Sequence, residues 1–429
     1  MPETDHPMRR VCMFVYNSML HDARVRKEAR TLTQAGYDVT VLAVHDPGRT
    51  QRREEVDGFH IVRLSRSLLG VSRREMGAAL HRQPVTPIPV RSPSSSSAPT
   101  PRGVKGRVLA ALELLVRRIL YPLRRVLVFQ RFVRAALRVK ADLYHAHDLN
   151  TLLMAYAASR LRRTPLIYDS HEVETGRAGQ RLRWWAAFLE RALIHRADRV
   201  ICTNQTRADY TQQRYGLPPP TILRNLPAYV APAPSTLLHA RLGLPPDRKV
   251  VLYQGGVQPE RGLEQLLEAA SEIAGGVVVI LGSGRLKPAL QQRVQQLGLT
   301  EKVRFHDAVL VGELPAWTAC AYLGLQILQN TCFNHYSSLS NKLLEYLMAG
   351  VPVIASDLPE MRRVLEDTGA GLIVDTSDPH QIAAACNQLL ADPAQREAMS
   401  GRAKASRSRY SWEREEQVLV ELYAGLFSP

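Results

Sequence analysis

The residues best suited to chemistry lie in the stretch 337–356, "SSLSNKLLEYLMAGVPVIAS". The pattern predicts a short helix that begins after an N-cap at Ser340 and stops at a Gly-Pro turn before a buried strand. Asn341, Lys342 and Glu345 then share one face. The helix start suits a diphosphate, and Glu345, about 6 Å further along, suits a ribose diol. The spacing equally allows a surface ion pair between Lys342 and Glu345.

Two glycine-containing loops follow predicted strands upstream of this helix. Gly255 and Gly256 come after "VVLYQ", with Arg261 near the start of the next helix, and Gly282 and Gly284 come after "VVVIL". Glycine lets a ligand approach the backbone, and an arginine at a helix start suits a phosphate. The third glycine of the dinucleotide fingerprint is absent, which argues against a nicotinamide enzyme.

A second set of polar residues ends predicted strands in the first half of the chain. His145 and His147 lie in "HAHD", and His171 and Glu172 end the next strand. The two histidines could bind a metal, but we expect only His147 to face the site. His171 and Glu172 either line the same sheet edge or cap the strand. No D-x-D triplet occurs, which is consistent with chemistry that uses side chains and helix N–H groups in place of a cation.

The elements that must position these residues alternate between strands and helices. Strands are predicted at 9–17, 37–45, 141–148, 164–172 and 197–204, and again at 248–256, 275–284, 302–309, 321–328, 350–356 and 369–374. This alternation predicts α/β domains with parallel sheets covered on both faces. Ligands bind such sheets at the carboxyl ends of the strands, where the residues above are predicted to lie. The Pro-rich segment 215–235 is typical of a hinge.

Composition and charge narrow the class of protein. The chain has 429 residues, 45% of them apolar and 22% charged, which predicts a globular protein of two domains. Five scattered cysteines without metal-ligand spacing indicate a reducing compartment. No uninterrupted apolar stretch of about 18–20 residues occurs, so we expect a cytoplasmic protein. The net charge of +16 favours anionic partners.

One segment departs from the alternating pattern. Residues 66–104 are rich in Pro and Ser, and residues 102–140 carry eleven Lys and Arg against one acid. We interpret 105–140 as a basic amphipathic pair of helices, divided at Pro122, that contacts an anionic membrane; the alternative is a helix whose arginines only face water. Nucleic acid is disfavoured because no nucleic-acid module is recognisable. The adjacent Trp184 and Trp185 are interpreted as packing and surface residues rather than a sugar platform.

Several motifs, taken in order, resemble one family. They are "DARVRKEARTLTQAGYDVTVLA", "LYHAHDLNTL", "YDSHE", "ADRVICTN", "QGGVQPERGLEQLLEA", "VILGSG", "VRFHDAV", "SNKLLEYLMAGVPVIAS", "GAGLIV" and "YSWERE". Together they resemble the retaining GT-B glycosyltransferases of glycosyltransferase family 4, in a branch with "NKL-EY" and a variant E-x7-E motif. The resemblance spans most of the chain outside 66–140.

The resemblance implies a fold and domain boundaries. The fold class is α/β of the GT-B type, with two Rossmann-like, doubly wound parallel-sheet domains facing a cleft. The implied parts are an acceptor-binding domain over 1–215 with the insertion at 66–140, a hinge over 216–235, a nucleotide-sugar-binding domain over 236–410, and a helix over 411–429 that crosses back to the first domain.

The resemblance also implies roles for individual residues on the donor side. Glu345 corresponds to the second acid of E-x7-E, which holds the ribose, and Arg261 occupies the usual lysine position of the phosphate loop. The other donor-side residues are Gly255, Gly256, Gly282, Gly284, Lys342, Val309 at the base, and the backbone N–H groups of Leu339, Ser340 and Asn341. The first acid of the motif falls at Ser337, and the usual arginine after the phosphate strand falls at Gly256.

For the other half of the site, His147 matches the family's active-site histidine near the transferred sugar, and it is a catalytic candidate together with Arg261. The usual amino-terminal glycine pair is absent, and "NSMLHDARVRKE" stands in its place. Asp22, Arg24 and Lys27 from this stretch, with His171 and Glu172, are candidate acceptor-side contacts.

The implied activity is a metal-independent, retaining transfer of a sugar from a nucleotide diphosphate sugar to an acceptor hydroxyl. No cofactor or metal is expected. The acceptor would be a glycan, a lipid or a small molecule, with a role in cell-surface glycan or glycolipid synthesis and a position on the inner face of the membrane. Two alternatives stay open: a sugar-nucleotide epimerase of the same fold, and a degenerate, non-catalytic carbohydrate- or membrane-binding protein.

Overall fold

The computed structural model describes residues 8–67, 121–173, 176 and 183–427. The predicted Pro/Ser-rich segment from residue 68 onward, and the predicted basic segment as far as residue 120, lie outside these ranges. The described chain forms two compact units. The first runs to Asp169 and includes Ala192–Val200, and the second consists of Ser170–Arg191 and the chain from Ile201 onward.

The first sheet is mostly parallel and has eight strands among the described residues. They are β1 (Arg10–Phe14), β2 (Asp38–Val44), β3 (Arg53–Val56), β4 (Phe59–Leu64), β5 (Leu143–His147), β6 (Leu166–Ser170), β7 (Arg199–Cys202) and β8 (Thr221–Ile222), in the order β3-β4-β2-β1-β5-β6-β7-β8. The central strand β1 pairs in parallel with β2 and β5. Its residues Val11 to Phe14 are fully buried, as expected for a strand covered on both faces.

The described helices that follow these strands are α1 (Ala23–Gln34), α2 (Tyr121–Val139), α3 (Leu149–Arg162), α4 (Arg183–Ile194) and α5 (Gln205–Tyr215). Helix α1 is capped by Asp22, whose carboxylate accepts a hydrogen bond from the backbone N–H of Val25. Its apolar residues Val25, Ala29 and Leu32 are buried at a spacing of three and four, which turns one face of α1 toward the core.

The second sheet has six strands among the described residues, in the order β11-β10-β9-β12-β13-β14. They are β9 (Lys249–Gln254), β10 (Gly276–Leu281), β11 (Val303–His306), β12 (Leu323–Gln326), β13 (Val353–Ser356) and β14 (Gly371–Val374), and neighbouring strands run parallel. Consecutive residues of β9, such as Val250 and Val251, belong to two different apolar clusters. The sheet is therefore packed on both faces, which explains its continuous apolar strands.

The helices around the second sheet include α11 (Asn341–Ala349), which lies within the stretch 337–356. The others are α6 (Leu237–Leu242), α7 (Leu263–Ala270), α8 (Lys287–Gln296), α9 (Leu314–Thr318), α10 (Phe333–Tyr336), α12 (Pro359–Thr368), α13 (Pro379–Ala391), α14 (Pro393–Ser406) and α15 (Trp412–Phe427). Helix α15 begins beside the segment that precedes α6. There the N–H of Trp412 donates to the carbonyl of Pro227, and Arg224 pairs with Glu415 at 2.7 Å.

All eleven predicted strands are confirmed as β1, β2, β5–β7 and β9–β14, and the predicted last helix is confirmed as α15. Three strands were not predicted: the two-residue β8, which lies in the predicted hinge segment, and β3 and β4, which form an antiparallel hairpin. Their strands are short and charged, "REEV" and "FHIVRL", so the alternating apolar signal is weak. The two-residue turn Asp57-Gly58, with φ of 53° and 84°, was the available signal for a hairpin. The predicted domain boundaries stay a prediction.

Candidate active site

The loop after β9 presents Arg261 in an unusual backbone setting. Glu260 has φ of 67° and Gly262 has φ of 75°, so left-handed residues flank Arg261 on both sides. A left-handed conformation is uncommon for glutamate, and it is held here by a hydrogen bond from the N–H of Gln329 to the carbonyl of Glu260 at 3.1 Å. The loop therefore fixes the direction in which the half-buried Arg261 leaves the backbone.

The glycines after β9 and β10 allow these two loops to pack closely against each other, and allow the side chain of Lys342 to pack against the first of them. A Cβ at Gly282 would lie 1.9 Å from the carbonyl oxygen of Gly255, and one at Gly284 would lie 2.0 Å from that of Val257. At Gly255, where φ is 118°, a Cβ would lie 2.5 Å from Cε of Lys342. By contrast, a Cβ at Gly256 would meet only Cγ of Gln258 at 3.7 Å, which is an ordinary contact.

Glu345 is held by a side chain that the sequence analysis did not identify. The Nε2 of Gln254, at the end of β9, donates to Oε2 of Glu345 at 2.7 Å. The hydroxyl of Thr318 donates to Oε1 of Gln254 at 2.8 Å, which sets the orientation of the amide. Burial raises the pKa of Glu345, while the hydrogen bond from Gln254 and the charge of Lys342 act in the opposite direction. The carboxylate is therefore positioned before any ligand arrives.

Lys342 lies beside a second cation. Its ammonium is 4.8 Å from the centroid of the Tyr253 ring, a favourable cation–π contact. Burial and the nearby charge of Arg261 lower the pKa of Lys342 to about 8, against the opposing effect of Glu345. Among the residues that the structure describes, no carboxylate oxygen lies within 4.0 Å of the Arg261 guanidinium. Two interacting cations with this little compensation would favour an anion, and that they bind the diphosphate stays a prediction.

The remaining donor-side residues are the first residues of α11 and those just before it, with Val309 after β11. Ser340 is the N-cap residue, as predicted, although its side chain makes no capping hydrogen bond. Leu339 and Val309 are half-buried and pack against one of the two apolar clusters of the second sheet. Asn341 is exposed as the first residue of α11. The predicted end of this helix is confirmed at Gly350, where φ is 72°.

Ser337, at the position of the first acid of E-x7-E, is fully buried. Its hydroxyl accepts a hydrogen bond from Nε of Arg207 at 3.1 Å and donates to the carbonyl of Phe333 at 2.9 Å. Its own carbonyl accepts from the side chain of Asn204 at 2.7 Å. The serine is therefore part of a buried polar network, and a glutamate in its place would need that network to rearrange.

The first unit contains a buried cluster of charged and ionisable side chains around Arg24. The guanidinium donates to Asp169 Oδ2 at 2.7 Å through one Nη and lies 2.9 Å from Glu28 Oε1 through Nε. All three side chains are almost completely buried. Burial alone would lower the pKa of Arg24, but the carboxylates of Asp169 and Glu28 hold it above its ordinary value. Arg24 was predicted as an acceptor contact, and its guanidinium is turned toward these two carboxylates.

His147 belongs to the same cluster. Its Nδ1 is 3.7 Å from Asp169 Oδ2 and its Nε2 is 4.0 Å from Glu28 Oε2. The rings of His145 and His147 are stacked with centroids 4.2 Å apart. The expectation that only His147 faces the site is therefore wrong, because residues two apart on a strand point to the same face. The signal was present in the sequence, since "HAHD" places both histidines on one side of β5.

The donor set of this cluster bears on the expectation that no metal takes part. Glu28, His145, His147 and Asp169 offer ligand atoms within 4.8 Å of one another. Two imidazoles and two carboxylates would suit a transition metal. Arg24, however, already supplies a positive charge to both carboxylates. The absence of a metal from the mechanism stays a prediction.

The backbone next to His147 is strained. Asp148 has φ of 63° and ψ of 161°, a conformation that costs a non-glycine residue about 1–3 kcal/mol. The N–H of Asp148 donates to the carbonyl of Asp169 at 2.8 Å, which joins the ends of β5 and β6. Strain of this kind persists where neighbouring structure imposes it, and it clusters at functional sites.

The other acceptor-side candidates have mixed surroundings. Asp22 is the N-cap of α1 and also accepts from the side chain of Asn17 at 2.7 Å. Lys27 is half-buried on the same helix. In the second unit, the carbonyl of His171 accepts from Arg207, and Glu172 is exposed. Their contact with an acceptor stays a prediction.

Two mostly parallel sheets with glycine loops after the strands, and cations near a helix start, are typical of nucleotide-binding α/β proteins. Residues 23–226 match the model of the family described as Glycosyltransferase Family 4, and residues 248–392 match the model described as Glycosyl transferases group 1. The chain belongs to these glycosyltransferase families, as the resemblance predicted.

Two curated relatives share one name. The chain is 26% identical over 322 residues to the D-inositol 3-phosphate glycosyltransferase of Thermobispora bispora, covering 68% of this chain and 74% of that protein. It is 25% identical over 312 residues to the protein of that name from Streptomyces bingchenggensis, covering 66% of each chain. These matches are consistent with the family assignment.

Solved structures define the fold. Sucrose-phosphate synthase from Thermosynechococcus elongatus superposes with a TM-score of 0.73 at 18% identity, covering 98% of this chain and 99% of that one. The Anabaena protein HepE in complex with UDP superposes with a TM-score of 0.70 at 15% identity, covering 97% and 100%. The fold is therefore GT-B, as predicted, and the chain is a glycosyltransferase. No described helix has the length and apolar character needed to cross a bilayer.

Proposed function

We propose that this glycosyltransferase transfers a sugar from a nucleotide diphosphate sugar to an acceptor hydroxyl with retention of configuration, and that no metal takes part. One observation carries the proposal. The charge of Arg261 acts on Lys342 at the start of α11, where the two cations would bind an anion, and the positioned carboxylate of Glu345 lies one turn further along the same helix. This order matches the diphosphate and the ribose of a nucleotide.

The diphosphate would bind where charge develops during transfer. The backbone N–H groups of 339–341, Arg261 and Lys342 would stabilise the departing diphosphate, which is the role that a metal plays in other enzymes. Because an anion favours the protonated form of a neighbouring amine, donor binding would raise the lowered pKa of Lys342. Donor binding and protonation of Lys342 would thus support each other.

The transfer itself would use few protein groups. Ser337 stands where relatives carry a carboxylate, and its hydroxyl is bonded to Arg207, so we propose front-face transfer assisted by the leaving phosphate. His147 would orient the sugar or assist proton movement, with its ring held near Glu28 and Asp169. The segment 216–235 would act as the hinge for closure, which excludes water from the reaction.

The names of similar proteins suggest which substrates to test first. HepE was solved with UDP and with UDP-glucose, which makes UDP-sugars the first donors. The curated relatives are D-inositol 3-phosphate glycosyltransferases, which makes inositol phosphates the first acceptors, beside glycans and lipids. A role in cell-surface glycan or glycolipid synthesis, at the inner face of a membrane, is part of the proposal.

Replacement of Glu345 by alanine is expected to weaken donor binding by about 10- to 100-fold, because a hydrogen bond to a charged group contributes about 1.5–3 kcal/mol. Isothermal titration with a UDP-sugar measures the change. Glu397→Ala is the matched control, since this carboxylate lies on the outer part of α14 and is 65% exposed. Equal dissociation constants for the Glu345 variant and the wild type would show that the ribose is held elsewhere.

A further inference from the structure

Helix α4 exposes three aromatic side chains on one side. Trp184, Trp185 and Phe188 are 68%, 48% and 60% exposed. The rings of Trp185 and Phe188 are stacked at 5.7 Å, and those of Trp184 and Trp185 meet edge to face at 5.6 Å. The prediction that the tryptophan pair is partly packing is therefore wrong, because both rings face outward. An aromatic cluster of this kind on a surface marks an interaction site.

The charges around this aromatic cluster are positive. Glu190 is the only acid of α4, and it is buried with its carboxylate accepting from the hydroxyl of Tyr215 at 2.8 Å. Arg191, on the exposed side, follows Phe188 by one turn of the helix. A groove of ≈ 260 Å³ runs beside it, lined by Ala187, Phe188, Arg191, Arg214 and Tyr215. The groove offers two guanidinium groups to a phosphate.

We propose that the aromatic surface of α4, defined by Trp184, Trp185, Phe188 and Arg191, docks on an anionic lipid bilayer. Tryptophan and phenylalanine place apolar rings at the boundary between headgroups and acyl chains, and arginine pairs with lipid phosphates. The net charge of +16 brings the chain toward such a surface. The proposal deepens the membrane position named in the proposed function by placing the contact on α4, outside 105–140, and it uses none of the donor-site residues.

The size of the surface favours a bilayer over a second copy of the chain. An aromatic side chain covers about 150–250 Å², so three rings exposed to this extent present roughly 300–400 Å². A stable dimer needs about 800 Å² from each partner. Membrane docking needs no such area, because a few interfacial rings and arginines act together with the charge of the whole protein.

The described part of α2 shows the same combination of side chains. Leu123 and Val126 are exposed beside the exposed Arg124 and Arg125. Apolar and basic groups in one turn are typical of an interfacial helix. This observation supports the choice of an anionic lipid surface as the partner, independently of α4.

Tryptophan fluorescence of the full chain tests the proposal directly. The chain has four tryptophans, and the other two, Trp317 and Trp412, are 7% and 1% exposed. A change in emission on adding vesicles therefore reports on Trp184 and Trp185. With vesicles of phosphatidylcholine containing phosphatidylglycerol, we expect a blue shift and reduced quenching by acrylamide. Vesicles of phosphatidylcholine alone should give a smaller change, because the arginines lose their partners.

Flotation with the same vesicles tests the residues. The triple variant Trp184→Ser, Trp185→Ser, Phe188→Ser is expected to reduce the vesicle-bound fraction at least about tenfold. The matched control replaces the strongly exposed Leu310 and Val311 by serine and should float like the wild type. A second pair of variants tests the charge of the surface. Arg191→Glu on α4 should lower the vesicle-bound fraction, and Arg293→Glu on α8 is its control.

Several outcomes would overturn the inference. Equal flotation of the triple variant and the wild type would reject it, and so would an unchanged emission spectrum with anionic vesicles. A dimer in solution that the triple substitution dissociates would instead make the surface a contact between two copies of the chain. Preferential binding of single-stranded nucleic acid through the same rings would also reject it. Donor binding by the triple variant should equal that of the wild type, so failure here is distinguishable from failure of the proposed function.

Discussion

Replacement of Arg261 by alanine should weaken the binding of a nucleoside diphosphate by about 100-fold, or ~3 kcal/mol, the scale expected when one partner of a close charge pair is removed. The guanidinium of Arg261 is half-buried, and none of the described carboxylates pairs with it. After its loss only Lys342 would face the diphosphate. Because the charge of Arg261 is one cause of the lowered pKa of that amine, its removal would raise the pKa and keep Lys342 charged, and the remaining site would carry a single cation.

The comparison that isolates this effect uses ligands with and without phosphate. The Arg261 variant and the wild type should bind the free nucleoside equally and differ only for the diphosphate. Arg293→Ala serves as the control, because this arginine is exposed on α8. Identical diphosphate affinity in the Arg261 variant would place the phosphates elsewhere. Arg261→Lys should retain part of the affinity, because it keeps the charge and loses the two-pronged geometry.

Replacement of Arg24 by alanine should destabilise the folded chain by about 3–5 kcal/mol, which is typical when a buried ion pair loses one partner. The guanidinium lies 2.7 Å from Asp169 and 2.9 Å from Glu28, and its loss would leave two buried carboxylates without their counter-charge. The carboxylates would then recruit water or protons, and the positions of the His147 neighbours would change. Activity is expected to fall together with stability.

Urea unfolding followed by circular dichroism measures this difference. Arg26→Ala, on the same helix, is the matched control. Arg26 is exposed and pairs with Asp57 at 2.9 Å, and such surface pairs contribute about 0–1 kcal/mol. Adding Glu28→Gln to the Arg24 variant should recover part of the loss, because it removes one buried charge. If both arginine variants unfold at the same urea concentration, the buried cluster does not depend on Arg24.

Much of the fold could be predicted because its signals are local. The strands of both sheets are continuous apolar runs, and helix α11 has an N-cap position at Ser340 and a left-handed glycine at Gly350. The loops after β9 and β10 carry their glycines in the sequence. These features depend on neighbours within a few residues, which a single sequence displays.

The parts that were missed depend on contacts between distant residues. Gln254 reaches Glu345 across 91 positions, and Thr318 reaches Gln254 across 64. Arg24 and Asp169 are 145 positions apart. No periodicity indicates such pairs, although Glu28 follows Arg24 by four residues and could have been recognised as its partner. The hydrogen-bond network around Ser337 could not be predicted either, since the sequence shows only a serine where the E-x7-E motif has its first acid.

The proposed function requires that Arg261, Lys342 and Glu345 bind a nucleotide diphosphate sugar as the donor. The most direct measurement screens UDP-, GDP-, ADP- and dTDP-sugars for binding and for release of the nucleoside diphosphate, in the presence of EDTA, with wild type and Glu345→Ala side by side. At least one donor should bind the wild type with a dissociation constant in the millimolar range or below and be turned over without a metal, and Glu345→Ala should weaken this binding. If no nucleotide sugar binds the wild type in that range, the claim is contradicted.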